Sequence, residues 1–538
     1  MIRIALAAGA ALALAAPATA QQTAPAAAPV PAPAKLPTMS FGTWGYDPAE
    51  IDKSVDPGDD FFAYANKRWL AANPLPAEFP RFGAFNLLAE KSTADVKTLI
   101  DELIAKDPAT LTNDEARIVA AYRGFFDTAA IDEAGLAPAQ PYLSKIKGAG
   151  TMTALAQLWA EPGIPSPLGG FVNVDAKEPA RYSVYFGAGG LGLPDRDYYL
   201  NSAPRDVEIQ GKYKAYLTFL LGQAGYADAT GMAARVYAFE DQIARTVSWD
   251  RATRRNRDLT YNALTPAQLA ALDPAFPVTP MLAAMGFGAT DRFIVGDLKP
   301  SAARAAELKL DAATLAKIGG GTPAMLALLR ATPIEVLQAW TAKSFLDGNA
   351  GALPSAIDQA NFAFRGTVLN GTPEQRPRWK RAIGEAEGLI GERVGAAYAA
   401  RYFPPASKAA MDKLVVNLRK ALAVSIQGNA WMSGATKKEA LAKLDAFDPK
   451  IGYRDNLEVY EGLAIDPRTP LANRMAAARW ENDYELAKLG GPIDRTEWGM
   501  LPQTVNAYYN PTKNEIVFPA GILQQPFYGL TADAAVNY

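Results

Sequence analysis

Val505 to Tyr538 reads VNAYYNPTKNEIVFPAGILQQPFYGLTADAAVNY, and the remainder of the chain falls into place around it. Val505 to Tyr509 is β-branched and aromatic around Asn506 and Ala507, which suits a strand. Asn510, Pro511, Thr512 and Lys513 supply turn chemistry. Ile516, Val517 and Phe518 resume an apolar run that Pro519 and Gly521 close. The expectation is a β-hairpin whose second strand leads into an ordered loop carrying Ile522, Leu523 and Phe527. An unpaired strand edge takes an extended peptide as an added strand, with backbone groups for affinity and side-chain pockets for selectivity. Asn506 suits that task because its amide both donates and accepts. An ordinary buried hairpin with Asn506 satisfied internally fits the same residues.

Composition narrows the chemistry. The 538 residues are 49% hydrophobic and 20% charged, enough for a large core and more than one lobe. Lys plus Arg (54) nearly balances Asp plus Glu (56), a net charge of -2 that does not suggest nucleic acid or a strongly anionic membrane as partner. There is no cysteine, hence no disulfide framework, thiolate nucleophile or thiolate metal site. There is no histidine either, so neither an H-E-x-x-H zinc site nor a Ser-His-Asp triad is present. The carboxylates are compatible with a hard cation or a paired-carboxylate enzyme, but no EF-hand loop or other motif points to one.

Met1 to Ala20 reads as a secretory signal peptide: Arg3 is the positive n-region, Ile4 to Ala16 is apolar but short of a membrane span, and Ala18-Thr19-Ala20 supplies small residues for cleavage. Residues 21–44 read as an Ala/Pro-rich linker. The chain is therefore expected to be exported, to a periplasm or the cell exterior, without stable membrane insertion after cleavage.

The body reads as mainly helical. Asp59 and Asp60 precede an aromatic run through Phe61, Phe62, Tyr64 and Trp69, predicting a capped core helix that ends at Asn73-Pro74. Arg81 and Phe85 stand at helical spacing and are expected to share one face. Tyr182 to Phe186 predicts a short strand. Asp195, Arg196 and Asp197 read as a charged turn, and Arg251, Arg254, Arg255 and Arg257 as a salt-bridged or solvated surface. Gly319 to Gly321 lack the Lys and Ser/Thr of a phosphate loop and read as a turn. Arg378-Trp379 opens a long helix with an apolar side at Ile383, Leu389, Ile390 and Val394, while Gly384, Gly388, Gly391 and Gly395 permit close packing. Met411, Leu414, Val415, Leu418 and Leu422 predict another core face, and Thr436 with Glu439 a capping box.

VNAYYNP followed by NEIVFPAGILQQPFY resembles the neprilysin and endothelin-converting-enzyme family of zinc metallopeptidases. The stretches VDPGDDFFAYANKRWL, PRFGAFNLL, GLGLPDRDYYLN, LNGTPEQRPRWKRAIGEAEGLIGERVGAAYAARYF, KIGY and PIDRTEW extend the resemblance from about Asp56 to the last residue. It implies a mainly α fold with a small β part: a large helical lobe, assigned to 45–453, and the start of a thermolysin-like α+β zinc-peptidase lobe, assigned to 454–538. It also implies that the chain stops just before the H-E-x-x-H helix. Gly58 stands where the animal relatives carry a cysteine, and Asn86 and Ala89 replace residues that are often acidic and basic.

The resemblance further implies that Asn506 and Ala507 clamp a peptide backbone. It places Ile522 and Phe527 in the wall of an apolar pocket for the residue after the scissile bond, although plain core suits both equally. Arg81 and Phe85 would line the substrate cavity. Small peptides are the expected partners. One zinc ion is expected for the complete family member, but no cofactor or catalytic residue in this chain. Three readings follow: an incomplete zinc metalloendopeptidase, inactive alone; a non-catalytic peptide-binding shell; or half of a split peptidase joined by a missing C-terminal catalytic segment. An exposed apolar patch is expected around Val517, Phe518, Ile522 and Phe527.

Overall fold

The computed structural model describes residues 47–538. The expected signal peptide and linker lie outside the described residues. The helices of twelve residues or more are α1 (Phe61–Ala72), α2 (Ala84–Ala105), α3 (Asn113–Phe126), α4 (Pro204–Gln223), α5 (Ala229–Gln242), α6 (Ile334–Gly348), α7 (Arg378–Tyr402), α8 (Pro405–Gly428), α9 (Gly434–Asp445) and α10 (Pro470–Ala487). The strands are β1 (Leu168–Val174), β2 (Tyr182–Ala188), β3 (Asn262–Leu264), β4 (Phe293–Val295), β5 (Asp448–Gly452), β6 (Tyr508–Asn510) and β7 (Glu515–Pro519). The fold is mainly α with small sheets, as the sequence implied.

One sheet has the order β1-β2-β4-β3 and the other β5-β7-β6. In the second, β7 pairs in parallel with β5 and antiparallel with β6, which leaves β6 as an edge. Sequence periodicity does not reveal β5 as the parallel partner, because its contribution is only the short run Asp448 to Gly452.

Local signals explain most helix ends. The Asp60 carboxylate accepts from Ala63 N at 2.8 Å and caps α1. Thr112 and Glu115 form a reciprocal capping box on α3. In α2, Leu88, Val96 and Ile100 recur on one face and are fully buried. Between α5 and α6, Lys343 meets Glu240 deep in the core, and the hydroxyls of Tyr199 and Tyr213 donate to the same carboxylate. That polar knot is tolerable because its members satisfy one another. Asp195 is buried and receives Arg254 at 2.6 Å, so the charged turn and the basic run brace each other.

Several expectations need correction. No residue of α1 is buried, and Phe61 and Phe62 are exposed; the helix is capped but is not core. Arg81 lies before α2, whose N-cap is Gly83, so it does not share a helix face with Phe85. The cap of α9 is Ser433, which accepts from Thr436 N at 3.1 Å; Thr436 is already inside the first turn. Gly321 opens a helix instead of ending a turn, with its φ at +60°. On α8 only Met411 and Val415 of the expected core face are buried, whereas Leu418 and Leu422 are exposed.

The hairpin also differs in length. Tyr508 pairs with Val517 and Tyr509 with Ile516, so continuing the register would set Ala507 against Phe518 and Asn506 against Pro519. Proline has no N–H for the ladder, and the strand begins only at Tyr508. Asn510 builds the turn as expected, its Oδ1 accepting from Thr512 N and Thr512 Oγ1. The expected apolar patch is misplaced as well. Val517 is fully buried between its two neighbouring strands, and Phe518, Ile522 and Phe527 are half-buried. Several apolar side chains are instead exposed on and beyond α8, at Val416, Leu418, Leu422, Val424 and Trp431. There Leu418, Leu422, Ile426, Leu444, Phe447 and Phe518 line a groove of about 440 Å³.

Candidate substrate-binding site

The segment that precedes and follows the hairpin is seated on α2 and α7. Leu501 and Pro502 lie against α7 at Gly391 and Gly395, where an added Cβ would overlap their side chains. Gly384 and Gly388 have open space, so only two of the four helix glycines serve a close approach. Ser92 Oγ donates to Gln503 O at 2.8 Å, and Gln503 Nε2 donates to Glu387 Oε1 at 3.0 Å. Gly521 N donates to Pro502 O, which closes the strand-leading segment onto the loop after β7.

That loop carries the candidate pocket residues. Gln524 is held from two sides, its Nε2 donating to Tyr398 Oη at 2.6 Å and its Oε1 accepting from Lys91 Nζ at 2.9 Å. Burial pushes the Tyr398 phenol up to about 12, so it stays protonated over the ordinary pH range. With Gln524 fixed, Phe527 reaches back to the first turn of α2, and its ring lies 4.4 Å from that of Phe85, tilted by 48°. Phe85 remains 52% exposed and Phe527 is half-buried, so the pair forms an apolar corner open to solvent. Ile522 is half-buried in the same loop.

Asn506 is exposed, just outside the β6 edge. Its Oδ1 accepts from the adjacent Ala507 N at 2.9 Å, and its Nδ2 has no partner among the described residues. Ala507 is half-buried. The reading of Asn506 as satisfied in a hairpin core is therefore wrong. Arg81 is exposed, in the bend before α2. The structure brings Phe85 and Phe527 into contact, whereas among the described residues no hydrogen bond, ion pair or cation-π contact involves the Arg81 side chain. Sequence reasoning missed Ser92, Lys91, Tyr398, Gln503 and Gln524, which hold the loop. The only signal was the polar pair Gln524-Gln525 inside an otherwise apolar run, which two helix partners, the buried Tyr398 and the partly exposed Lys91, explain for Gln524.

The residues present do not fit a zinc ion. The chain has neither histidine nor cysteine, and among the described residues no group of three carboxylates converges on a metal-sized site.

Comparison with known proteins matches this architecture. Residues 57–454 match the N-terminal family model of Peptidase family M13, and residues 506–538 match the companion model of the same family. Endothelin-converting enzyme 1 of Homo sapiens is 27% identical over 513 residues, covering 91% of this chain and 63% of that protein. Neprilysin-3 of Drosophila melanogaster is 27% identical over 519 residues, again with 91% and 63% coverage. The chain thus spans a little under two thirds of the length of the curated relatives it matches. Among solved structures, the zinc metalloprotease Zmp1 of Mycobacterium tuberculosis in complex with an inhibitor superposes with a TM-score of 0.81 at 33% identity, covering 91% of this chain and 72% of that one. PepO from Lactobacillus rhamnosis shares the fold with a TM-score of 0.76 at 21% identity, covering 90% and 74%. With family models matched over residues 57–454 and 506–538, this chain belongs to peptidase family M13.

Proposed function

We propose that this chain is the peptide-holding part of an exported zinc metallopeptidase acting on small peptides. In this reading 454–538 begins the catalytic lobe. The observation that supports it best is Asn506: exposed beside an edge strand, with a free amide nitrogen, in a molecule whose Phe85 and Phe527 form an open apolar corner. Asn506 and Ala507 would hold the backbone of an extended peptide. Phe527, Ile522 and Phe85 would wall the pocket for the residue after the scissile bond, and Arg81 would set a positive charge at the cavity rim. The zinc ion of the complete enzyme has no ligands here, so this chain positions a peptide and does not cut it unaided. An N-terminal run with the form of a signal peptide supports export.

Titration calorimetry of the purified chain with a short apolar peptide tests this. Saturable heat that Asn506→Ala weakens is expected, together with no cleavage in added zinc. Absence of saturable heat sinks the peptide-holding reading. Unaided zinc-dependent cleavage sinks the assignment of the chain as a non-cutting part. Cleavage that appears only on mixing with a chain bearing an H-E-x-x-H helix identifies half of a split peptidase.

A further inference from the structure

A chamber of about 570 Å³ opens between α7, α10 and the segment 498–501. Glu387 and Glu392 reach its wall from α7, Glu481 from α10 and Glu458 from the loop after β5. Arg474 is the cationic side chain in the wall, and Glu385 already holds it through two bonds of 2.7 and 2.6 Å. Behind the wall, Arg454 serves both Glu392 at 3.1 Å and Glu458 at 3.5 Å. One guanidinium therefore faces two carboxylates.

The negative charge is only partly compensated, by Arg454 and by the fields of Arg376 on Glu387 and Lys488 on Glu481. Glu392 is 5% exposed, and its Oε2 has no hydrogen-bond partner. Glu387 receives its hydrogen bond from the neutral Gln503 amide. Burial raises the Glu387 carboxyl, and it pushes that of Glu458 up to about 7, the charge of Glu392 adding to the effect. Such a cluster favours any cation that enters.

The remaining wall selects the kind of cation. Tyr460, Trp480 and Trp498 line the chamber, and the Tyr460 and Trp480 rings lie 4.7 Å apart. Aromatic faces beside carboxylates suit a guanidinium or ammonium group. A bare divalent ion demands several converging oxygens, and among the described residues no three of these carboxylates converge. A second chamber of about 460 Å³ shares Glu458, Glu481, Trp498 and Gly499 with the first and continues to β6, where Tyr508 and Asn510 line it. Lys488 and Lys513 also line the second chamber, but they are paired with Glu485 and Glu497, so carboxylates still outnumber cations along the space that runs up to β6.

We propose that this chamber is a distal subsite for an arginine or lysine side chain of a peptide held along β6, a proposal that rests on the peptide-holding reading. Peptides carrying a basic residue away from the apolar corner are then the preferred class.

The test uses the full chain and four probes: agmatine, a neutral apolar hexapeptide, that peptide extended by arginine, and the same peptide extended by citrulline. Calorimetry is run on the natural chain, on the Glu458→Gln/Glu481→Gln double variant, and on Glu481→Gln alone, an exposed position. The arginyl peptide is expected to bind roughly tenfold tighter than the citrullinyl one, an advantage lost in the double variant and reduced in the single one. Agmatine should bind with the same sensitivity, while the neutral peptide should bind all three proteins alike. Equal affinity for the arginyl and citrullinyl peptides overturns the proposal, as does an advantage that survives both variants or displacement of agmatine by equimolar calcium. Agmatine binding without any peptide binding removes the peptide-holding reading and leaves a free-cation site, which overturns the peptide source specifically.

Discussion

The ring of Phe85, at the start of α2, lies 4.4 Å from that of Phe527 in the last loop. A tilted aromatic pair of this kind is worth about 0.5–1.5 kcal/mol beyond its buried area. Because Phe85 is half exposed, Phe85→Ala should lower the stability of the chain by no more than about 1–2 kcal/mol. Peptide binding should suffer more, since the open side of the corner is lost. Denaturant melts and calorimetry with a short apolar peptide check the two effects separately.

Lys450 reaches across from β5 to Glu515 of β7, 2.5 Å away, and also donates to Glu497 O. Glu515 is 1% exposed. Lys450→Met should strand that carboxylate and cost about 3–5 kcal/mol, whereas Lys450→Met with Glu515→Gln should recover much of the loss. Urea midpoints of the three proteins measure this.

Two glycines of α7 should respond in opposite directions to the same substitution. Gly395→Ala drives a methyl into Pro502 and should destabilise by about 1–3 kcal/mol. Gly384→Ala meets open space and should stabilise by up to about 1 kcal/mol through helix propensity. Thermal melts decide both signs.

Glu458 sets a pH dependence. Its carboxyl stands at about 7 when folded, raised first by burial and then by Glu392, with Arg454 opposing and Glu481 and Tyr460 nearby. The folded chain therefore binds this proton more tightly than the unfolded chain. The favourable contribution is complete below the ordinary carboxylate range and is lost as pH rises through about 7. Glu458→Gln should stabilise the protein relative to the natural chain more at pH 8 than at pH 5, as melting temperatures across that range will report.

The exposed side of α8 should bind a hydrophobic dye. Leu418→Lys with Leu422→Lys should abolish that signal and reduce aggregation without lowering the melt, because both side chains are about half exposed. Light scattering and dye fluorescence test this together.

Much of this was legible in the sequence wherever a local rule governs. Asp60 caps α1, Asn510 turns the hairpin, and Tyr182 opens a strand, because each effect is settled within a few residues. The failures have a common physical origin in distant neighbours. Leu418 and Leu422 have helical spacing but no opposing surface, and Phe61 is apolar without being covered. Asn506 is excluded from its strand by Pro519, which becomes visible only once the register is known. The patch expected around Val517, Phe518, Ile522 and Phe527 fails at Val517 because β5, its second neighbour, carries too short a signal to be expected there.

Lys91 and Gln524 are 433 positions apart, and Ser92 and Gln503 are 411 apart, yet each pair is directly bonded. During synthesis, the outer surface of α2 must therefore wait for 411 to 433 further residues to emerge before its cover arrives. Contacts of such long sequence separation form late and slow the final collapse. A nascent chain of this kind should depend on a holding chaperone over that interval, with release timed by the arrival of the loop around Gln524.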